Sequence, residues 1–172
     1  MTVMQTKINS LDDALSFLLQ GLYFTERKLA YKFTTCCSQV SSTKLINLIR
    51  DYSDTSQDKM MKIERIFGYL MREPMSRTNK VVNALMEETN QMVESANSFY
   101  MKDVLTIACV QNINAYKIAG YRSAYLLAVE LELDTATDLI HQILESERET
   151  RSFLTELSIN EFDDTQRVAS KD

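Results

Sequence analysis

Three charged residues, Glu26, Lys117 and Glu147, lie at positions where a helical pattern calls for apolar side chains. Lys117 stands in the stretch VQNINAYKIAGY, residues 110–121, on the same helical face as a valine, an isoleucine and a tyrosine. A carboxylate inside a helical bundle is costly unless it binds a metal or pairs with a cation. The three residues therefore indicate either a metal site or a buried ion pair.

A metal site of the usual bundle type lacks most of its ligands in this sequence. Di-iron and di-manganese bundles take one Glu from each of two helices and a Glu-x-x-His from each of the other two. The sequence has no Glu-x-x-His, and its one histidine, His141, lies about 120° from Glu147 on a helix, so it is predicted at the surface. If iron or manganese bound, the candidate ligands would be Glu26, Asp54 and Glu147.

Long helices must position these charges, because little in the chain interrupts a helix. The 172 residues are 45% hydrophobic and include only 3 Gly and 1 Pro. Such a composition suits long helices rather than a many-turned β fold. The predicted fold class is all-α, in a single domain over residues 1–172.

Apolar periodicity predicts four bundle helices. The first begins at the capping pattern SLDD, where Ser10 and Asp13 can satisfy backbone groups, and the second ends before Pro74. The fourth begins at TATD, and the tail NEFDDTQRVASKD, 160–172, is expected to fray. The expected helices cover about 10–39, 42–71, 101–131 and 135–160, and the connection 72–100 contains the amphipathic piece VVNALMEETNQMV.

Link lengths predict the topology. Short links make hairpins of helices one and two and of helices three and four, whereas the 72–100 connection is long enough to return along a bundle of about 40 Å. Helices two and three should then be parallel. This is the single-crossover topology of ferritin-like four-helix bundles.

Hairpin geometry brings the charges into one polar layer. A turn near residue 40 places Glu26 opposite residue 54, and a turn near 132 places Lys117 opposite Glu147. Both levels fall near mid-helix, so the layer should lie at the bundle centre. Thr150 continues its polar character, and Tyr23 and Tyr52 could cap it with phenol groups. The predicted layer comprises Glu26, Ser53, Ser56, Asn114, Lys117 and Glu147.

Lys117 has two further interpretations. Its long stem could cover apolar surface while the ammonium escapes between helices. A catalytic lysine would need a depressed pKa, whereas two adjacent carboxylates would raise the pKa of Lys117. We therefore predict no catalytic and no cofactor-binding residue, and the preferred interpretation is a protein without enzymatic activity.

Composition also excludes classes of partner. The net charge is -5 and no basic cluster appears, which excludes a nucleic-acid binder. No apolar run reaches the roughly 18 residues of a membrane span, and the start MTVMQTKINSLDD lacks the features of a secretion signal, so a cytoplasmic protein is expected. Cys36, Cys37 and Cys109 show no metal-binding spacing and are expected to be small core residues.

Five segments together resemble one family of proteins: GLYFTERKL, KIERIFGYLMREP, ALMEETNQMVE, QNINAYKIAGY and LESERETRSFLTEL. Over about residues 8–160 the chain resembles the bacterial YciE/YciF type of ferritin-like stress protein, a domain family without an established biochemical activity. The resemblance implies a ferritin-like bundle, pairing as a homodimer and an association with stress responses.

The resemblance also marks departures from the family pattern. Glu26 and Glu147 match glutamates that family members typically carry. Several potential metal ligands of the family are replaced here, and the substituted positions are Tyr52, Asp54, Thr55, Asn114, Ala115, Lys117 and Ser146. The resemblance therefore implies a degenerate member that keeps the bundle but has exchanged its metal site for an ion-pair layer.

Two functions remain open on this basis. The preferred one is a metal-free structural or interaction protein, and the alternative is a residual iron- or manganese-binding oxidase or metal-storage protein. Helix three has a second apolar stripe, and a helix that is apolar all round is buried on both sides. The connection helix could cover part of this stripe, and the partner in a homodimer could cover the rest. That stripe comprises Val104, Ala108, Ala115, Ala119, Leu126 and Val129.

Overall fold

Five α-helices make up the secondary structure of the described chain. The structure, a computed structural model, describes the backbone of residues 7–169 and the side chains of residues 7–160 except Cys36. Among these residues there is no strand, which confirms the all-α class, and no helix is both long and apolar enough to cross a bilayer. The helices are α1 (Leu11–Cys36), α2 (Thr43–Tyr69), α3 (Lys80–Ser95), α4 (Phe99–Glu130) and α5 (Asp134–Ala169).

Four of these helices form a bundle with a single crossover. One apolar cluster joins the N-terminal half of α1 to the C-terminal halves of α2 and α4 and the N-terminal half of α5, through Leu19, Ile66, Ala128 and Ile140 among others. Helices α2 and α4 therefore run in the same direction, and α1 and α5 in the opposite one. The crossover that contains α3 makes this arrangement possible, and it confirms the ferritin-like topology expected from link lengths.

A second apolar cluster fills the other half of the bundle. Phe33 of α1, Leu45 of α2, Val110 of α4 and Leu154 of α5 meet there, together with Val82 of α3. Helix α3 thus packs on α4, with further contacts to α1, outside the four-helix bundle. Between the two clusters, at the middle of every bundle helix, lies a layer of polar side chains.

A cluster of polar contacts and a tight turn fix the register of the helices on the two sides of that layer. Asp103 of α4 accepts hydrogen bonds from the backbone N–H of Ser41 at 2.7 Å and of Ser42 at 3.0 Å, and from the Ser41 hydroxyl at 2.7 Å. These bonds hold the α1–α2 link against α4. At the other end, Glu132 adopts a φ of 55° in the α4–α5 turn, where the backbone N–H of Leu133 bonds to the carbonyl of Ala128 at 3.0 Å.

Helix boundaries differ from the sequence-based expectation at several places. Helix α1 ends at Cys36 instead of near residue 39, since the run of threonine, cysteine and serine there favours helix weakly. Helix α5 begins at Asp134 and continues to Ala169, and the fraying expected from residue 160 stays a prediction. The segment lacks an apolar face, but it also lacks the glycine or proline that would stop a helix. Residues 170–172 of that tail lie outside the described residues.

Candidate functional site

Lys117 links two glutamates at the centre of the bundle. Its Nζ lies 3.0 Å from Oε1 of Glu26 and 2.6 Å from Oε1 of Glu147, and all three side chains are 0% exposed. Both contacts are ion pairs between fully buried charged groups. Helices α1, α4 and α5 each supply one of the three groups.

Glu147 carries the densest set of contacts in the layer. Its Oε1 is also 2.6 Å from Lys59 Nζ, and its Oε2 accepts hydrogen bonds from the Tyr52 hydroxyl at 2.8 Å and from Asn114 Nδ2 at 2.9 Å. Burial alone would raise the pKa of Glu147, but the charges of Lys117 and Lys59 outweigh it and lower the pKa to about 2. This carboxylate is therefore ionised at neutral pH.

Lys59 of α2 is a second buried ammonium, which was not among the predicted site residues. Its side chain is 2% exposed. Burial and the positive charge of Lys117 lower the pKa of Lys59, although Glu147 favours its charged form. Burial also disfavours the charged form of Lys117, but the negative charges of Glu147 and Glu26 outweigh this effect and raise the pKa of Lys117. The two lysines thus differ in how firmly they hold their protons.

Two tyrosines enclose the charged groups. The Tyr121 hydroxyl donates a hydrogen bond to Glu26 Oε1 at 2.6 Å, and the Tyr52 ring has Lys117 Nζ at 4.4 Å and Lys59 Nζ at 5.2 Å from its centroid. Burial, followed by the charges of the neighbouring carboxylates, raises the pKa of both phenols well above its ordinary value. Both tyrosines are therefore neutral hydrogen-bond donors to the layer.

The charges in this layer balance, and the donor set does not fit a metal centre. Two ammonium groups face two carboxylates, and Oε1 of each carboxylate is taken by a lysine. Among the described residues, no group of three His, Cys, Asp or Glu side chains could hold a metal ion. Asp54, the third candidate ligand, is exposed on α2.

Ser53 and Ser56 are buried near the layer, but they make no hydrogen bond to its carboxylates. The Ser53 hydroxyl bonds to the carbonyls of Leu29 and Ala30, each at 3.1 Å, and the Ser56 hydroxyl bonds to the Tyr52 carbonyl at 3.0 Å. Serine in a helix readily bonds to the carbonyl four residues before it, as Ser56 does, whereas the acceptors of the Ser53 hydroxyl belong to α1.

Other candidate residues lie away from the charges. Tyr23 donates to Glu64 at 2.6 Å on the outside of the layer, and Thr150 donates to the carbonyl one turn before it. His141 is exposed, as the helical wheel predicted, with Nε2 3.8 Å from a carboxylate oxygen of Glu145. Cys37 and Cys109 are buried, and the Cys36 side chain lies outside the described residues.

The signal that could have revealed Lys59 was present in the sequence. Lys59 lies three residues after Ser56 and four before Ile63, on the seam of α2 that faces the core. Hairpin symmetry does not predict it in the layer, because it stands five residues from position 54, the level expected to face Glu26. A lysine head lies several ångströms from its own Cα, so it reaches a level that its backbone does not occupy.

The fold and the site define a ferritin-like four-helix bundle with buried ion pairs at its centre. A family model described as "Domain of unknown function (DUF892)" matches residues 10–166. The chain belongs to this family, which confirms the resemblance seen in the sequence.

Relatives and solved structures agree with that assignment. Protein YciF of Escherichia coli K12 is 26% identical over 154 residues, covering 89% of this chain and 93% of YciF. The crystal structure of the E. coli stress protein YciF matches with a TM-score of 0.86 at 24% identity, over 91% of this chain and 99% of that one. YcfI of Rhodopseudomonas palustris matches with a TM-score of 0.84 at 18% identity, covering 88% of this chain and 97% of its own.

Proposed function

We propose that this protein is a metal-free, stress-associated structural or interaction protein. The observation that carries the proposal is Lys117, whose ammonium lies 3.0 Å from one buried glutamate and 2.6 Å from another. A ferritin-like bundle binds its metals between helices at this depth. The similarity to a relative described as a stress protein supports the association with stress.

Charge balance argues against a residual metal oxidase or storage function. With Lys59 and Lys117 in place, a divalent cation would add two positive charges to a layer that is already neutral. It would have to displace a buried ammonium, which would then lose its partner in a low-dielectric interior. The layer instead fixes how the four helices align, and it leaves no catalytic group open to solvent.

Metal uptake tests this proposal directly. We expect the unmodified protein, incubated with ferrous iron or manganese and desalted, to retain far less than one ion per chain, because the ammonium groups fill the site. Elemental analysis by plasma mass spectrometry measures the ratio. One or more ions per chain on the unmodified protein would contradict the proposal and favour the oxidase or storage alternative.

Two variants test whether metal uptake depends on the charges of the buried layer. Lys117→Glu replaces the resident cation with a third carboxylate beside Glu26 and Glu147, and it is expected to retain more metal than the unmodified chain. Lys62→Glu makes the same charge change on α2, where Lys62 pairs with exposed Asp58. Equal uptake by the two variants would show that added surface charge, rather than the layer, attracts the metal.

We further propose that two copies pair through the outer face of α4 as a homodimer in the cytoplasm. Ala108, Ala115 and Ala119 of the second apolar stripe on that face are exposed, so α3 leaves most of it uncovered. Further along the same stripe Leu126 is 58% exposed and Val129 48% exposed. Exposed apolar side chains in a row of this kind favour a protein interface. The buried thiol of Cys109 suits a reducing compartment.

Sedimentation velocity tests the pairing. We expect Leu126→Asp to convert a dimer into a monomer, since it puts a charge in the middle of the apolar face. Met71→Asp is the matched control, because Met71 is 94% exposed but lies in the α2–α3 link, away from α4. Loss of the dimer in both variants, or in neither, would contradict an interface on α4.

A further inference from the structure

A cleft of about 410 Å³ lies between α2 and α5, on the far side of Tyr52 from the buried charges. Buried Leu48 and Tyr52 form its apolar floor, and half-exposed Phe153 forms an apolar wall. The rest of the lining is polar or charged: Asn47, Thr55, Thr150, Lys44, Asp51 and Glu149. Small-molecule sites have volumes of roughly 300–1,000 Å³ and combine apolar walls with a few polar groups. In size and lining this cleft is of that kind.

The rim of the cleft has two carboxylates that lack partners. Asp51 comes from α2 and Glu149 from α5, so they flank the cleft from opposite helices. Both are exposed, and neither forms a hydrogen bond or ion pair with any of the side chains described for residues 7–160. Two negative charges on either side of an apolar floor favour a positively charged occupant.

The apolar lining of the cleft favours a ligand that carries an apolar group next to its positive charge. Phe153 is 49% exposed, so about half of its surface is open to a ligand that lies in the cleft. An aromatic or aliphatic group lying on Leu48 and Phe153 would be removed from water, and an ammonium held near the ring would gain from cation–π attraction. Lys44 lies at one end of the cleft and repels a cation, so the ammonium group of a ligand should lie away from that end.

We propose that this cleft binds a small amphiphilic cation, an organic ammonium attached to an apolar or aryl body. The apolar part lies on Leu48 and Phe153, and the ammonium lies between Asp51 and Glu149. Tyr52 forms the wall between this ligand and the buried layer, since its hydroxyl bonds to Glu147 on the other side. The proposal does not depend on whether the layer holds a metal.

Three probes of matched size test the charge preference. The full-length protein, labelled with ¹⁵N, is titrated with 2-phenylethylammonium, with neutral 2-phenylethanol and with anionic 3-phenylpropanoate while amide chemical shifts are followed. We expect saturable shifts in residues 44–55 and 149–153, with the ammonium binding about fivefold tighter than the alcohol. The carboxylate should bind more weakly than either.

Rim variants test which charges are responsible. Glu149→Gln combined with Asp51→Asn should remove the preference for the ammonium, so that it binds no tighter than the alcohol. Lys44→Gln is the control from the same rim, and it should bind the ammonium at least as well as the unmodified chain. Because all three residues are exposed, circular dichroism is expected to show unchanged folding in both variants.

Several outcomes would overturn the proposal. Equal binding of the three probes, shifts scattered outside the two segments, or weaker ammonium binding in Lys44→Gln would each contradict a cation site in this cleft. A change of sedimentation coefficient in Phe153→Asp would show that the cleft belongs to an interface between copies of the chain. The assignment to a small ligand would then be wrong.

Discussion

Lys117→Met is expected to lower the free energy of unfolding by about 3–5 kcal/mol at neutral pH. Methionine roughly preserves the volume of lysine but removes the charge, which leaves Glu26 without a cation while Glu147 keeps only Lys59. A buried carboxylate without a cation is the most costly element of such a layer. Urea denaturation followed by far-UV circular dichroism measures the loss, and the melting temperature should fall by about 10 °C.

A second lysine-to-methionine substitution serves as a control. It distinguishes the loss of a buried charge from the loss of any lysine. Lys62→Met removes an ammonium from α2 that is partly open to solvent and pairs with exposed Asp58 in the same helix. We expect a change below about 0.5 kcal/mol, since exposed pairs contribute little. If Lys117→Met were as stable as Lys62→Met, Lys117 would not be acting as the buried counter-charge of Glu26 and Glu147.

Much of the fold could be predicted because it depends on periodicity and link length. Apolar residues repeat with the helical period from Leu15 to Leu157, and the one proline, Pro74, falls after the end of α2. The long connection required a crossover, and two short links required hairpins. Hairpin symmetry placed Lys117 level with Glu147, and their charged atoms lie 2.6 Å apart in the structure.

The rest of the site depends on side-chain reach, which a helical wheel does not contain. The ammonium of Lys59 lies in the layer although its Cα lies at a different level of the bundle. The helical pattern places Tyr121 on the same face as Lys117, but it does not predict that the Tyr121 hydroxyl donates to Glu26 at 2.6 Å. Ser53 faces inward as predicted, but bonds backbone carbonyls of α1. Position on a helix thus predicts burial well and hydrogen-bond partners poorly.

Acid is expected to weaken the fold through Glu147. Its pKa is lowered from 4.5 to about 2 in the folded protein, so folding favours the ionised form. The stabilisation is fully present above pH 4.5 and is lost as the pH falls from 4.5 toward 2. The difference between those two pKa values corresponds to about 3 kcal/mol in the free energy of unfolding. The raised pKa of Lys117 adds no loss in this range, since its contribution is lost only in alkaline solution.

The free energy of unfolding, measured from neutral pH to about pH 3, tests this assignment. The unmodified protein should lose stability steeply below pH 4.5, whereas Glu147→Gln should start less stable and lose less, because it lacks the carboxylate that takes up the proton. Glu145→Gln, on the exposed side of the same helix, should keep the steep profile, since Glu145 pairs with His141 and Arg148 at the surface. Parallel profiles for all three proteins would mean that acid acts elsewhere in the bundle. A shallow profile in Glu147→Gln alone would identify this carboxylate as the acid-sensitive group of the layer.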